Sequence, residues 1–239
     1  MEIIPGLHRL PGIMGVNTYL RFPSGSQPAD VGPCLFDCGF PWSVRALVAN
    51  MSALGCEPAD LATIAVTHDD IDHVGRLASL QAVSGAQVVA HRLEAVRLAG
   101  DTWRELPAFQ RLSCPLKAVG GLYARRGRHP VRVGRPVEDG DVLPGGWIAV
   151  HTPGHTPGHT SFFYPEMRVL IAGDALGSVR NRQVRGPQPF FTEDPEAGAR
   201  SVRKLSELEP DVICFGHGAE LFSAAEPLRK LAGLLEAKG

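Results

Sequence analysis

An α/β fold, with two mixed β-sheets flanked by helices, is predicted by three features of the sequence. Short apolar, β-rich runs alternate with helical patterns, the chain opens on a meander of short strands, and its second half repeats a strands-then-helix plan. The 239 residues, 44% hydrophobic and 21% charged, suffice for one large core, so residues 1–239 are expected to form a single domain. The opening meander is read around Ile3-Ile4, at 7–10 and at 17–21, where apolar runs are separated by Gly/Pro turns. A strand at 33–37, a helix at 42–54, a strand at 61–67, a helix at 74–83 and a strand at 87–90 follow. Between residues 98 and 136 the periodicity fades and Gly, Pro and Arg accumulate, including Arg125, Arg126 and Arg128, which suits a lid or insertion.

The second half supplies strands at 146–151, 160–164 and 169–172. Asp194-Pro195 then reads as an N-cap followed by proline at the first helical position, opening a helix to about residue 208. A strand at 212–215 and a helix at 224–237 close the chain. This plan suits two sheets packed face to face with helices outside.

Composition narrows the function classes. With 24 basic and 25 acidic residues the formal charge is −1, giving no general reason for a nucleic-acid or membrane partner. The start Met1-Glu-Ile-Ile-Pro-Gly has neither the basic nor the apolar region of an export signal, and no apolar run approaches the roughly 20 residues of a membrane span, so a cytoplasmic location is expected. Cys34, Cys38, Cys56, Cys114 and Cys214 are odd in number and lack Cys-x-x-Cys spacing, which points to buried small residues rather than disulfides or a thiolate zinc site.

The chemistry concentrates in four loops, each at the end of an expected strand. Thr67-His68-Asp69-Asp70-Ile71-Asp72-His73-Val74-Gly75 packs two His and three Asp into six residues, 68–73. Carboxylates crowded in this way repel one another unless a cation neutralises them. In His151-Thr-Pro-Gly-His155-Thr-Pro-Gly-His159 a histidine recurs every four residues within a loop that Gly and Pro keep tight. Gly173-Asp174 and Gly216-His217-Gly218 each add one donor beside a glycine. Four such loops together indicate a metal site.

From Phe36-Asp37-Cys38-Gly39 to Gly216-His217-Gly218 the chain resembles the metallo-β-lactamase-like superfamily. The resemblance implies a four-layer αβ/βα sandwich with metals at one edge of the sheets. It implies His68 and His155 as ligands of a first metal, Asp72, His73 and His217 as ligands of a second, Asp174 as the bridging carboxylate, and Asp37 as a buried support of the metal loop. At position 70 the chain departs from the family's pattern, carrying Asp where a third His is usual. An anionic oxygen ligand there favours harder ions, so Mn²⁺ or Fe²⁺ stand beside one or two Zn²⁺ as cofactors.

The implied chemistry is attack by a metal-activated water on a carbonyl or phosphoryl centre, with Asp70 and Asp72 as the carboxylates placed to act on that water. A small-molecule ester, thioester or lactone is the expected substrate. A non-haem iron oxidoreductase such as a persulfide dioxygenase, or a ligand-binding relative without catalysis, are the alternatives; a homodimer stays open. His151 and His159 are read as supports of the metal loop or substrate contacts, and Asp69 as exposed or capping. His8, His91 and His129 are read as ordinary surface or satisfied histidines. Arg180, Arg182 and Arg185 either grip an anionic part of the substrate or form a solvated basic loop. Phe190 and Phe191 either wall a pocket or simply pack.

Overall fold

A computed structural model of the chain describes residues 1–10, 15–23, 31–100, 130–179 and 183–237. These form two compact units, Met1–Pro136 and Val137–Gly239, and each is built on a mixed sheet that carries helices. The α/β class read from the sequence is the one observed.

In the first unit β1 (Glu2–Ile4), β2 (Leu7–Leu10), β3 (Thr18–Arg21) and β4 (Cys34–Phe36) run antiparallel, each to the next. From β4 onward the sense changes: β5 (Thr63–Ala65) and β6 (Gln87–His91) lie parallel to it, and β7 (Arg135–Val137) completes the seven-stranded order. Parallel neighbours require crossovers, supplied here by helices α1 (Val44–Ser52), α2 (Ile71–Val74) and α3 (Leu77–Ser84). Leu47 and Met51 of α1 and Leu77 and Leu80 of α3 pack onto Leu35, Ile64, Val66 and Val88 of the sheet. Each such fully buried aliphatic side chain contributes about 1.5–3 kcal/mol.

The helix expected over 74–83 is two helices, broken at Gly75 and Arg76. Gly75 donates its N–H to Gly39 O at 3.0 Å, and a Cβ at Gly75 would stand 2.3 Å from Pro41 Cδ. The 39–41 segment therefore presses on the backbone at this point, a tertiary contact that periodicity does not register. Helix α4 (Arg92–Leu98) begins directly after β6 with no turn residue to announce it. His91 caps it, its Nδ1 accepting the Leu93 N–H at 3.3 Å. Most of the segment read as a lid, with Arg125, Arg126, Arg128, His129 and Cys114, falls in 101–129 and lies outside the described residues.

In the second unit β8 (Ile148–His151), β9 (Thr160–Tyr164) and β10 (Val169–Gly173) are antiparallel. A separate hairpin, β11 (Gly177–Val179) with β12 (Gln183–Arg185), has no counterpart in the sequence reading. Helix α5 (Pro195–Glu207) starts as expected, with Asp194 accepting the Ala197 N–H at 2.9 Å and Pro195 in the first turn. β13 (Val212–Phe215) returns parallel to β10, β14 (Leu221–Phe222) pairs on its far edge, and α6 (Ala225–Glu236) ends the described chain. Val202 and Leu205 of α5 and Leu228 and Ala232 of α6 meet Leu170, Ala172, Ile213 and Phe215 in one core.

Cys34, Cys38, Cys56 and Cys214 are buried thiols outside any disulfide among the described residues. Burial pushes the Cys34 thiol up to about 12 and the Cys56 thiol up to about 11, while burial and then the neighbouring Asp37 charge push Cys38 well above the usual thiol range. None of the three is a thiolate at neutral pH. Among the described residues, no helix is long and apolar enough to cross a membrane.

Candidate metal centre

The first unit assembles its donors around Asp37. The chain leaves β4 into a left-handed turn at Asp37, φ 57°, a conformation that Asp tolerates better than most residues. Its carboxylate accepts three bonds: Thr67 N–H at 2.9 Å, Thr67 Oγ1–H at 2.8 Å and His73 Nδ1 at 2.8 Å. The loop that follows β5 is thereby tied to the loop that follows β4.

These bonds also fix the proton positions on the two histidines. Asp37 can only accept, so His73 Nδ1 carries a hydrogen and its Nε2 presents a lone pair. Thr67 spends its one hydroxyl hydrogen on Asp37, so its contact with His68 Nδ1 at 2.9 Å requires that nitrogen to donate. His68 is then in the same tautomer, again with a lone pair on Nε2. Both side chains are fully buried, and their rings lie 4.2 Å apart.

Each Nε2 faces a carboxylate of the same loop: His68 Nε2 lies 3.5 Å from Asp70 Oδ2, and His73 Nε2 lies 3.8 Å from Asp72 Oδ2. Two ligand atoms bound at roughly 2.0–2.2 Å to one tetrahedral ion stand about 3.3–3.6 Å apart, so the His68–Asp70 spacing fits donors sharing an ion and the His73–Asp72 spacing is slightly wider. Asp70 is the N-cap of α2 and makes no side-chain cap bond. An N-cap Asp ordinarily accepts from its own helix; this one faces His68 instead.

The second unit builds a matching set on Asp174. Gly216 N–H donates to Gly173 O at 2.9 Å, joining the ends of β13 and β10 and bringing His217 beside Asp174. Asp174 Oδ2 lies 3.5 Å from His217 Nε2 and 3.8 Å from His155 Nε2. One carboxylate oxygen thus faces two imidazoles, at ligand-to-ligand spacing for His217 and slightly beyond it for His155.

The neighbouring histidines of the same loop hold this arrangement. His159 Nε2 accepts the Asp174 N–H at 3.0 Å, so its Nδ1 donates to Thr152 Oγ1 at 2.8 Å. Ser161 Oγ, 3.1 Å from Thr152 Oγ1, passes the chain on to Ala172 O. His151 donates from Nε2 to Pro157 O at 2.8 Å, and its main chain is gripped by Asp139 and Lys204. Gly154, at φ 140°, lies so close to α5 that a Cβ there would be 2.4 Å from Gly198 Cα. Asp194 N–H bonds to Gly154 O and Glu193 N–H to His155 O, completing the clamp.

One reading of the sequence is corrected by position. Asp69 is neither exposed nor a cap: it is fully buried and pairs with Arg97 at 3.6 Å. Phe190 and Phe191 pack edge to face on each other at 4.9 Å and are 43% and 39% exposed. Arg185 lies along its own hairpin, bonding Gly186 O at 3.0 Å and covering Gly177. Arg180 and Arg182 lie outside the described residues. His8 is half-buried, 3.8 Å from Glu2 and edge-on to Phe22. Thr67, Thr152 and Glu94 escaped the sequence reading. For the threonines a signal existed, a polar residue at the end of an apolar run beside a donor histidine.

A mixed-sheet α/β chain whose strand-end loops carry histidines with Nε2 facing carboxylates fits the class of metal-dependent hydrolase-like proteins. The chain belongs to the metallo-β-lactamase superfamily, whose family model matches residues 32–217. It is 31% identical to the probable metallo-hydrolase YflN of Bacillus subtilis, over 91% of this chain and 85% of that one. With the human metallo-β-lactamase domain-containing protein 1 it shares 28% identity, covering 87% of this chain and 70% of that one. Among solved structures, a metallo-β-lactamase family protein of Thermus thermophilus superposes with a TM-score of 0.71 at 25% identity, over 99% of this chain and 81% of that one. A subclass B3 metallo-β-lactamase of Bradyrhizobium japonicum gives 0.69 at 23%, over 100% and 90%, a likeness of fold.

Proposed function

We propose that the protein is a hydrolase of small carbonyl substrates, an ester, thioester or lactone. In this reading His68, Asp70, Asp72 and His73 of the first unit, and His155, Asp174 and His217 of the second, are the residues that would hold divalent ions. The observation that carries it is the shared Asp174 Oδ2, 3.8 Å from His155 Nε2 and 3.5 Å from His217 Nε2, one carboxylate oxygen beside two imidazole nitrogens that would hold an ion with it. Four imidazoles with carboxylate partners suit Zn²⁺, and the replacement of a neutral donor by Asp70 widens the choice to Mn²⁺ or Fe²⁺.

When bound, the metal lowers the pKa of water from its bulk value toward about 7 and polarises the substrate carbonyl. The protein's own part is to keep both histidine lone pairs presented before any ion arrives, through Asp37 and Thr67. Asp70 and Asp72, half-buried beside those histidines, are the groups that orient a nucleophilic water and take up its proton. Arg180 and Arg182, in the segment after Asp174, are the residues proposed to meet an anionic part of the substrate.

The test is a panel of esters, thioesters and lactones assayed with the zinc- and the manganese-loaded protein. Hydrolysis of one class, abolished by chelator and restored by metal, is the expected result. A metal-loaded protein that hydrolyses none of them and consumes oxygen with a persulfide would overturn the reading in favour of iron redox chemistry.

A further inference from the structure

Behind the His68–His73 loop lies a buried ionic cluster that the metal-centre reading does not use. Asp69, between His68 and Asp70, is fully buried, as is Glu94 on α4. Glu94 Oε2 accepts the Asp69 N–H at 3.0 Å, across a sequence separation of 25. Arg97, three residues further along α4, places its Nη1 3.6 Å from Asp69 Oδ1 with its side chain 13% exposed. Residues i and i+3 share a helix face, so one side of α4 grips Asp69 by both its main chain and its side chain.

The anchor is continuous with the sheet. α4 grows directly from β6, the parallel neighbour of the strand that delivers the loop, and its first turn is held by the His91 ring. Carboxylates are almost never fully buried without a specific partner, because desolvation is costly. A bonded peptide N–H fixes the backbone at Asp69, and with it the directions in which His68 and Asp70 leave the chain.

We propose that Glu94 and Arg97 are positioning residues for the metal centre, holding Asp69 so that His68 and Asp70 face one ion. The inference rests on the metal-centre reading above and extends it to a helix outside the four donor loops. Metal-loop geometry is then set from two sides: Asp37 holds Thr67 and His73, and Glu94 with Arg97 holds the residue in between.

The experiment compares zinc affinity, by chelator competition, and the visible spectrum of the Co²⁺-loaded full chain for wild type, Glu94→Gln and Glu94→Met. Glu94→Gln keeps a carbonyl acceptor and is expected to hold zinc within about threefold of wild type; Glu94→Met has none and is expected to lose about 10–100-fold, with an altered Co²⁺ spectrum and an unchanged near-ultraviolet circular dichroism. Native affinity and spectrum in Glu94→Met, or an equal loss in both variants, would overturn the proposal. Should Glu94→Met not fold, hydrogen exchange of the Asp69 amide in the zinc-loaded wild type decides: exchange as slow as in β5 supports it, and exchange as fast as an exposed loop overturns it. A wild type that binds no zinc fails before any substitution is made, and marks failure of the underlying reading rather than of the Glu94 contact.

Discussion

Asp37 Oδ2 stands 2.8 Å from His73 Nδ1, a buried carboxylate fixing the tautomer of a buried imidazole. The same carboxylate holds Thr67 at two atoms, and Thr67 in turn holds His68. One residue therefore sets two candidate ligands. Asp37→Asn keeps the left-handed backbone, which Asn adopts readily, and replaces the charged acceptor with an amide. The expected outcome is a loss of about 10–100-fold in zinc affinity with the fold intact, read by competition with a chromophoric chelator and by circular dichroism.

Asp70 is the residue that departs from the family's usual histidine, and its side chain faces His68 at 3.5 Å rather than capping α2. Asp70→His is expected to bind metal at wild-type stoichiometry, since imidazole reaches the same ion. Asp70→Ala is expected to lower metal content by roughly half under the same purification, because the His68 side then lacks a donor. Plasma emission spectrometry on the two variants checks both.

The His155 loop depends on the absence of side chains where Gly154 meets Gly198. A Cβ at position 154 would meet main-chain atoms, which cannot swing aside, and φ 140° is strained for any L side chain. Gly154→Ala is expected to destabilise the protein by at least about 2 kcal/mol, the sum of overpacking and backbone strain, with metal content falling as His155 is displaced. Urea unfolding monitored by fluorescence measures the first effect.

Burial raises the Cys34 thiol to about 12 and the Cys56 thiol to about 11, against 9 in the unfolded chain. The folded protein thus binds these protons more tightly, so their contribution to stability is intact below pH 9 and is lost as pH rises through the window from 9 to about 11–12. Stability should fall on the alkaline side, and less steeply in Cys34→Ala. Alkylation at pH 8 should leave Cys34, Cys38, Cys56 and Cys214 unmodified until denaturant is added; peptide mass spectrometry checks this.

The sequence was most legible where local chemistry coincides with tertiary structure. The strands at 160–164 and 212–215 are short β-rich runs bounded by turn residues, and they appear with those limits as β9 and β13. α5 announces itself through Asp194-Pro195, because capping is decided within four residues. The interruption at Gly75 depends on Pro41, and the burial of Asp69 depends on Glu94 and Arg97. Both are settled by residues distant in sequence, where periodicity carries no information. The hairpin of β11 and β12 is too short, at three residues a strand, to show an alternation.

The central claim, that these loops form a metal centre with Asp174 shared between His155 and His217, is tested most directly by metal analysis. Wild type and Asp174→Ala would be purified side by side without added metal. About two ions per chain in wild type and no more than about one in Asp174→Ala is the predicted result; a wild type free of metal, or an Asp174→Ala variant that carries the same load, would contradict the account.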